Sequence, residues 1–140
     1  MSAHQLAALA RTAEPRLMLR RFLALDAAVT GANALAYLAL SGPLGRYLGA
    51  GPGLLLGLGA FLAVYAGCVG LLAARPGPPP LAVRAVVEAN LTWAAVSLVA
   101  LVLLAPTTAG AVWTVLQAVV VTGFALLQYR ALRAHQDSSV

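Results

Sequence analysis

The chain contains four blocks of apolar residues, each about as long as a helix that crosses the hydrocarbon core of a membrane. The blocks cover about residues 17–40, 53–74, 81–105 and 110–132, and about 20 helical residues at 1.5 Å each are enough to cross. Backbone N–H and C=O groups find no water in that core, so the segments must be helical. The sequence therefore predicts an all-α integral membrane four-helix bundle, one membrane domain over residues 1–140.

Composition agrees with this prediction. Hydrophobic residues make up 61% of the 140 and charged residues only 9%, whereas soluble domains carry about 25% charged residues. The mean hydropathy is +0.89. The blocks are separated by short Gly- and Pro-rich stretches, "SGPLGR", "RPGPPP" and "PTT". Such connections predict that consecutive helices are antiparallel neighbours. The first loop either holds a short interfacial turn anchored by Tyr47 or is flexible.

The basic residues predict an orientation in the membrane. All nine are arginines; Arg46 is in the first loop, and the other eight flank the two termini and the loop between the second and third blocks. The positive-inside rule then places both termini and the Pro-rich loop in the cytoplasm. No basic stripe lies on a soluble element, so we do not expect a nucleic-acid partner despite the pI near 10.4.

Metal and cofactor sites are not expected. The only cysteine, Cys68, lies inside an apolar block, and the two histidines, His4 and His135, lie in the terminal segments. The chain has no phosphate-binding glycine loop, cysteine pair or Ser-His-Asp arrangement. We interpret Cys68 as a packing residue.

Two sequence patterns each allow two interpretations of how the helices are arranged. Small residues in the second helix recur at spacings of four, as in Gly53 and Gly57, which fits either packing inside the bundle or a self-association face. The two halves of the chain can also be aligned, with Asp26 opposite Asn90 and Tyr65 opposite Tyr129. Two helical hairpins of the same topology are one interpretation of this alignment, and chance similarity is the other.

The first helix carries a polar stripe. Its members are spaced at i, i+4, i+7 and i+11, which puts them on one helical face; they are Asp26, Thr30, Asn33 and Tyr37. An ionised Asp in the middle of a membrane helix costs roughly 2.5–3.5 kcal/mol on insertion scales. We therefore expect the stripe to face the interior of the bundle.

Polar residues in the other helices occur at similar depths. Asp26 lies about five residues, or roughly 7–8 Å, from the cytoplasmic edge. We expect it to meet Tyr65, Glu88, Asn90 and Gln128 below the arginines at positions 20, 21 and 84. The predicted lining continues across the membrane through Asn33, Trp93 and Gln117.

This cluster admits several functions. A structural network would pair Arg84 with Asp26 or Glu88 and would suit a non-catalytic accessory or assembly subunit, alone or in a larger complex. A cavity would bind a lipid or another small apolar or amphiphilic molecule. In such a cavity, Asp26 and Glu88 could supply an acid and a base for isomerisation, cyclisation or hydrolysis. A small proton-coupled transporter, acting as a homo-oligomer, is a third class.

Three segments carry a family resemblance: "LRRFLALDAAVTGA", "VVEANLTWAAVSLV" and "LLQYRALR". They resemble a widespread group of small four-helix bacterial integral membrane proteins, which is distantly similar to DoxX-like proteins in size and layout. The matching positions are Asp26, Asn90, Trp93 and Gln128. The resemblance implies a four-helix fold in a bacterial cytoplasmic membrane, and it implies no activity.

Overall fold

The fold is all-α, as predicted. The structure, a computed structural model, describes residues 2–104 and 106–138, with only the backbone described at residues 6–14 and 138. The described residues contain no strand and form helices α1 (Ala3–Ala39), α2 (Ser41–Leu48), α3 (Pro52–Ala74), α4 (Pro80–Leu104) and α5 (Thr108–Ser138). Ala105, the predicted last residue of the third helix, lies outside the described residues.

Four segments of these helices are long and apolar enough to cross a membrane: Pro15–Ala39, Pro52–Ala74, Pro80–Leu104 and Thr108–Asp137. Large apolar side chains on all four face outward; Leu35, Val64, Val102 and Val119 are examples. Soluble proteins rarely expose contiguous apolar surface on this scale. The architecture therefore fits an integral membrane protein whose outer surface contacts lipid.

The first and last long helices extend beyond the apolar blocks. Helix α1 begins at Ala3, where the Ser2 side chain accepts from the Gln5 backbone N–H and the Gln5 side chain accepts from that of Ser2. This capping box satisfies two N–H groups that would otherwise lack partners at the helix start. Helix α5 continues past the predicted end at residue 132 to Ser138.

The first loop contains the short helix α2. It ends at Gly49, which adopts a left-handed conformation with φ 73° that favours glycine. The Thr107 hydroxyl donates to the carbonyl oxygen of Tyr47 over 2.8 Å. Gly110 packs so closely on the Leu48 carbonyl that no Cβ would fit. Helix α2 is therefore fixed against the start of α5, and the exposed Tyr47 belongs to a short helix.

The order of neighbours differs from the predicted one. Helix α1 packs along both α3 and α5, and α5 packs along α4, whereas α3 and α4 make little contact although they are consecutive. One buried cluster lies toward the α3–α4 turn and includes Leu23, Val69 and Leu132. The other lies toward α2 and includes Tyr37 and Leu62. Side chains of both α3 and α4 line two cavities.

The glycines of α3 lie on two different faces of the helix. At Gly59 a Cβ would lie 2.9 Å from Leu38 Cγ, so glycine allows α1 and α3 to approach closely. Gly53, Gly57 and Gly67 would meet no described atom within 4 Å. Packing inside the bundle therefore explains Gly59, and Gly53, Gly57 and Gly67 lie on the outer surface.

Candidate functional site

Asp26 is the centre of a buried hydrogen-bond network. Its side chain is 1% exposed. Oδ2 accepts from Asn90 Nδ2 and from Gln128 Nε2, both at 2.8 Å. Oδ1 accepts from Thr30 Oγ1 at 3.2 Å. Both oxygens of the acid thus have donors, which an intramembrane carboxyl group requires.

The network extends to all four long helices. Asn90 Nδ2 also donates to Gln128 Oε1 at 3.1 Å. The Tyr65 hydroxyl, from α3, donates to Asn90 Oδ1 at 3.0 Å. Asp26 and Thr30 come from α1, Asn90 from α4 and Gln128 from α5. The polar stripe on the first helix therefore faces the bundle interior, where Asp26, Tyr65, Asn90 and Gln128 meet.

No arginine whose side chain the structure describes is a partner of Asp26. All the hydrogen bonds that Asp26 accepts from described residues come from neutral amide and hydroxyl groups. Arg84 is exposed, so its expected pairing with Asp26 is wrong. Arg20 instead donates from Nε to the Ala73 carbonyl at 3.0 Å. A cation at the end of α3 satisfies a terminal carbonyl and stabilises the negative end of the helix dipole.

Glu88 does not meet Asp26, and that expectation is also wrong. Its side chain is exposed and lines a groove of about 400 Å³ between α4 and α5, which Arg84, Tyr129 and Arg133 also line. The reason is helix geometry. Glu88 and Asn90 are two residues apart and point in nearly opposite directions, at about 100° per residue, so only one can face the interior. Asn90 takes that position.

A cavity of about 290 Å³ lies beside the network, between the four long helices. Five of the eight predicted site residues line it: Asn33, Tyr65, Asn90, Trp93 and Gln117. Its other walls are mainly apolar and include Val121 and Phe124. Asp26 and Gln128 are not among the lining residues; they lie behind Asn90 and hold its amide in place.

A second cavity, of about 260 Å³, lies toward α2 and shares Trp93, Val96 and Gln117 with the first. Tyr37 lines it, and the Tyr37 hydroxyl accepts from Trp113 Nε1 at 2.8 Å and from Gln117 Nε2. Sequence reasoning placed Tyr37 on the polar stripe but did not assign it to the site. The signal was its spacing from Asp26, which continues the same face toward the other side of the membrane.

Three aromatic rings line the first cavity on the side of α3 and α4. The Phe61 and Trp93 rings are nearly parallel, at 8°, with centroids 6.1 Å apart. The Phe61 and Tyr65 centroids are 6.3 Å apart. Nothing in the sequence singles out Phe61, because an isolated phenylalanine in an apolar block is usually a packing or lipid-facing residue.

No family model, curated protein or solved structure matches the chain.

Proposed function

We propose that the protein binds a small apolar or amphiphilic molecule within a bacterial cytoplasmic membrane. The observation that carries the proposal is the 290 Å³ cavity between the four long helices, beside the Asp26 network. Small-molecule sites combine apolar walls with a few oriented polar groups. The amide of Asn90 and the hydroxyl of Tyr65 supply such groups, and both are held by hydrogen bonds.

Binding is better supported than acid–base catalysis. A two-carboxyl mechanism needs Asp26 and Glu88 around one substrate, and Glu88 lies in a different groove. Asp26 would act on a bound molecule only through Asn90 or Thr30, which line the cavity and donate to its carboxyl group, so Asp26 is a positioning residue. Proton-coupled transport gains no support either, because Asp26 lines neither of the two central cavities.

The proposal can be tested by filling the cavity. Val121→Phe places a larger side chain on the cavity wall and leaves the Asp26 network intact. Val119→Phe is the matched control, because Val119 belongs to the same helix and is exposed outside both central cavities. Protein purified from membranes is extracted, and co-purifying small molecules are identified by mass spectrometry. The wild type and Val119→Phe should retain a molecule that Val121→Phe loses. Equal amounts in all three proteins would overturn the proposal.

We also propose that both termini and the α3–α4 turn are cytoplasmic. Arg75 and Arg84 flank the turn, and Arg130 and Arg133 lie near the end of α5, so the arginine bias supports this orientation. Single cysteines introduced near either terminus, in a Cys68→Ser background, should resist a membrane-impermeant maleimide in intact cells. Labelling at either terminus would contradict the orientation.

A membrane assembly subunit is the second candidate function. The outward glycines of α3 favour it: Gly53, Gly57 and Gly67 fall on one face of the helix and meet no described atom. Small residues allow close packing of membrane helices. Gly57→Leu should then reduce crosslinking of the protein to itself or to a partner in native membranes, whereas Ala60→Gly, which keeps this face small, should not. Unchanged crosslinking in Gly57→Leu would remove this candidate.

A further inference from the structure

We infer that the ligand is a single-chain lipid with an uncharged hydroxyl or carbonyl head, and that it enters sideways from the membrane through the cleft between α3 and α4. The inference rests on the proposed binding function and adds the ligand class and the route. Three independent observations carry it: the gap between two helices, the residues at the edges of that gap, and the neutrality of the polar lining.

The gap lies between two helices that a short turn connects. After the turn at residues 75–79, α3 and α4 make little contact, because α3 packs on α1 while α4 packs on α5. Side chains from both helices line both central cavities. The backbones of α3 and α4 therefore lie farther apart than those of the other neighbouring helices, and side chains such as Tyr65, which donates to Asn90, bridge the gap beside the cavities.

The edges of this cleft face both the cavity and the lipid. Phe61 on α3 and Val96 on α4 line the first cavity, yet they are 56% and 57% exposed. Val29 on α1 and Val120 on α5 line it too and are less exposed, at 40% and 38%. The cavity is therefore most open to the outer surface on the side of α3 and α4. The stacked rings of Phe61 and Trp93 lie across this opening. A change of the Phe61 rotamer would widen it without moving the backbone.

The cleft is long enough for a lipid chain. The two cavities share Trp93 and Val96, and their walls extend along α3 from Leu54 to Tyr65. The eleven helical rises between these two residues correspond to a length of about 17 Å. The lining over this length is mainly apolar, with polar groups concentrated near Asn90 and Gln117. A chain can therefore occupy the part toward α2, with its head beside the amides.

The polar groups that face the cavity are uncharged. Neither central cavity is lined by a charged residue within the described part of the chain. An ionic head would be buried there without a counter-charge, which is costly. Asp26 lines neither cavity and lies behind Asn90 and Thr30, so a cationic head in the cavity could not pair directly with its carboxyl group. A hydroxyl or carbonyl head avoids this cost.

Asn33 and Gln117 are the groups that would hold the head. Asn33 lines the cavity and makes no hydrogen bond with another described residue, so its amide can donate and accept. Gln117 uses Nε2 to bind the Tyr37 hydroxyl, which leaves Oε1 to accept from a ligand hydroxyl. Asn33→Leu should weaken binding about tenfold, a loss comparable to one or two hydrogen bonds.

Intrinsic tryptophan fluorescence can report binding in the cavity. It has two tryptophans, and Trp113→Phe leaves Trp93, which lines both central cavities, as the only one. This variant is placed in phosphatidylcholine vesicles and titrated with three nitroxide-labelled probes of the same chain length in separate experiments. The probes are a long-chain alcohol, the corresponding carboxylic acid and the corresponding amine. The alcohol should quench Trp93 fluorescence saturably, at about tenfold lower concentration than either charged probe, and unlabelled alcohol should reverse the quenching.

A crosslink across the cleft tests the route. Phe61→Cys and Val96→Cys are introduced together in a Cys68→Ser, Trp113→Phe background and joined by a short bis-maleimide. The crosslinked protein should associate with the alcohol at least about tenfold more slowly than the Phe61→Cys single variant treated with the same reagent. Equal association rates would overturn the lateral route.

The outcomes separate this inference from the proposed function. Tighter binding of the acid or the amine would overturn the uncharged head but leave cavity binding in place. If no probe quenches Trp93 while a cavity-dependent molecule co-purifies, the single-chain lipid class is wrong and the proposed function stands. If no molecule co-purifies either, the proposed function fails as well.

Discussion

Two acids lie within the apolar blocks, Asp26 and Glu88, and they occupy opposite environments. Asp26 is buried and accepts hydrogen bonds from three side chains on three helices. Glu88 is exposed in a groove that Arg84 and Arg133 also line. Both acids lie within apolar blocks at similar predicted depths. The difference shows that depth alone does not determine the environment of a membrane carboxyl group; the helix face does.

The comparison also shows how an acid is held inside the membrane without a cation. Hydrogen bonds between membrane helices contribute about 0.6 kcal/mol on average and up to about 1.7 kcal/mol. Bonds to ionised groups contribute about 1.5–3 kcal/mol in proteins generally. Several amide and hydroxyl donors around Asp26 can therefore offset a large part of its insertion cost. Glu88 lies instead in a groove that Arg84 and Arg133 also line, so guanidinium groups that Asp26 lacks are close to it.

The largest expected effect is that of Asp26→Leu. This change removes the acceptor of three hydrogen bonds and leaves the donors of Asn90 and Gln128 buried with fewer partners. We expect the free energy of unfolding to fall by about 3 kcal/mol. Unfolding in mixed micelles with increasing dodecyl sulfate measures it. Glu88→Leu, the matched control at the exposed acid, should change it by less than about 0.5 kcal/mol.

Asn90→Leu should have the next largest effect. The Asn90 amide donates to Asp26 and Gln128 and accepts from Tyr65, so its loss disconnects α3 and α4 from the network. We expect a loss of about 2 kcal/mol in the same assay. Asn33→Leu is the control, since Asn33 makes no hydrogen bond with other described residues, and its stability should match the wild type. Equal losses for the two variants would contradict the central role of Asn90.

Much of this network could be predicted from the sequence. The part that could not be predicted is which side of α4 faces the interior, and there is a physical reason for this. The spacing of Asp26, Thr30 and Asn33 fixed one face of the first helix, and the insertion cost of an acid required that face to be internal. In α4, Glu88 and Asn90 lie on opposite sides, and nothing in either residue alone decides which side is internal. The packing of Val83, Val86 and Val87 against the core makes that choice.

The separation of α3 and α4 also could not be predicted from the sequence. Short connections predict antiparallel neighbours, but a turn as short as "RPGPPP" restrains only the ends of the two helices. Along their length, close contact depends on small residues and complementary surfaces. Gly59 provides such a surface toward α1, whereas Phe61 and Trp93 keep α4 at a distance. The cleft between α3 and α4 therefore depends on the volume of the side chains on particular helix faces. The periodicity of the sequence does not report that volume.

Tyr65→Phe should have a smaller effect than the changes at Asp26 and Asn90. It removes only the hydroxyl that donates to Asn90 Oδ1 and retains the ring that stacks on Phe61. We expect a loss of about 1 kcal/mol in the free energy of unfolding. The control is Tyr129→Phe, at the aligned position in the second half, where the hydroxyl accepts from the exposed Arg133. The free energy of unfolding of that variant should equal that of the wild type. A loss in Tyr129→Phe with no loss in Tyr65→Phe would contradict the place of Tyr65 in the network.

The smallest expected effect is that of Glu88→Gln, and it is the sharpest check of the comparison. Glutamine keeps the shape of the side chain and removes the charge, so the variant reports only whether that charge contributes. At an exposed position it should change the free energy of unfolding by less than about 0.5 kcal/mol and leave Trp93 quenching by the alcohol probe unchanged. A loss close to that of Asp26→Leu would mean that α4 presents Glu88 rather than Asn90 to the interior. Rotating α4 in that way would also remove Asn90 from Asp26, so the two acids would become partners and the uncharged cavity would no longer exist.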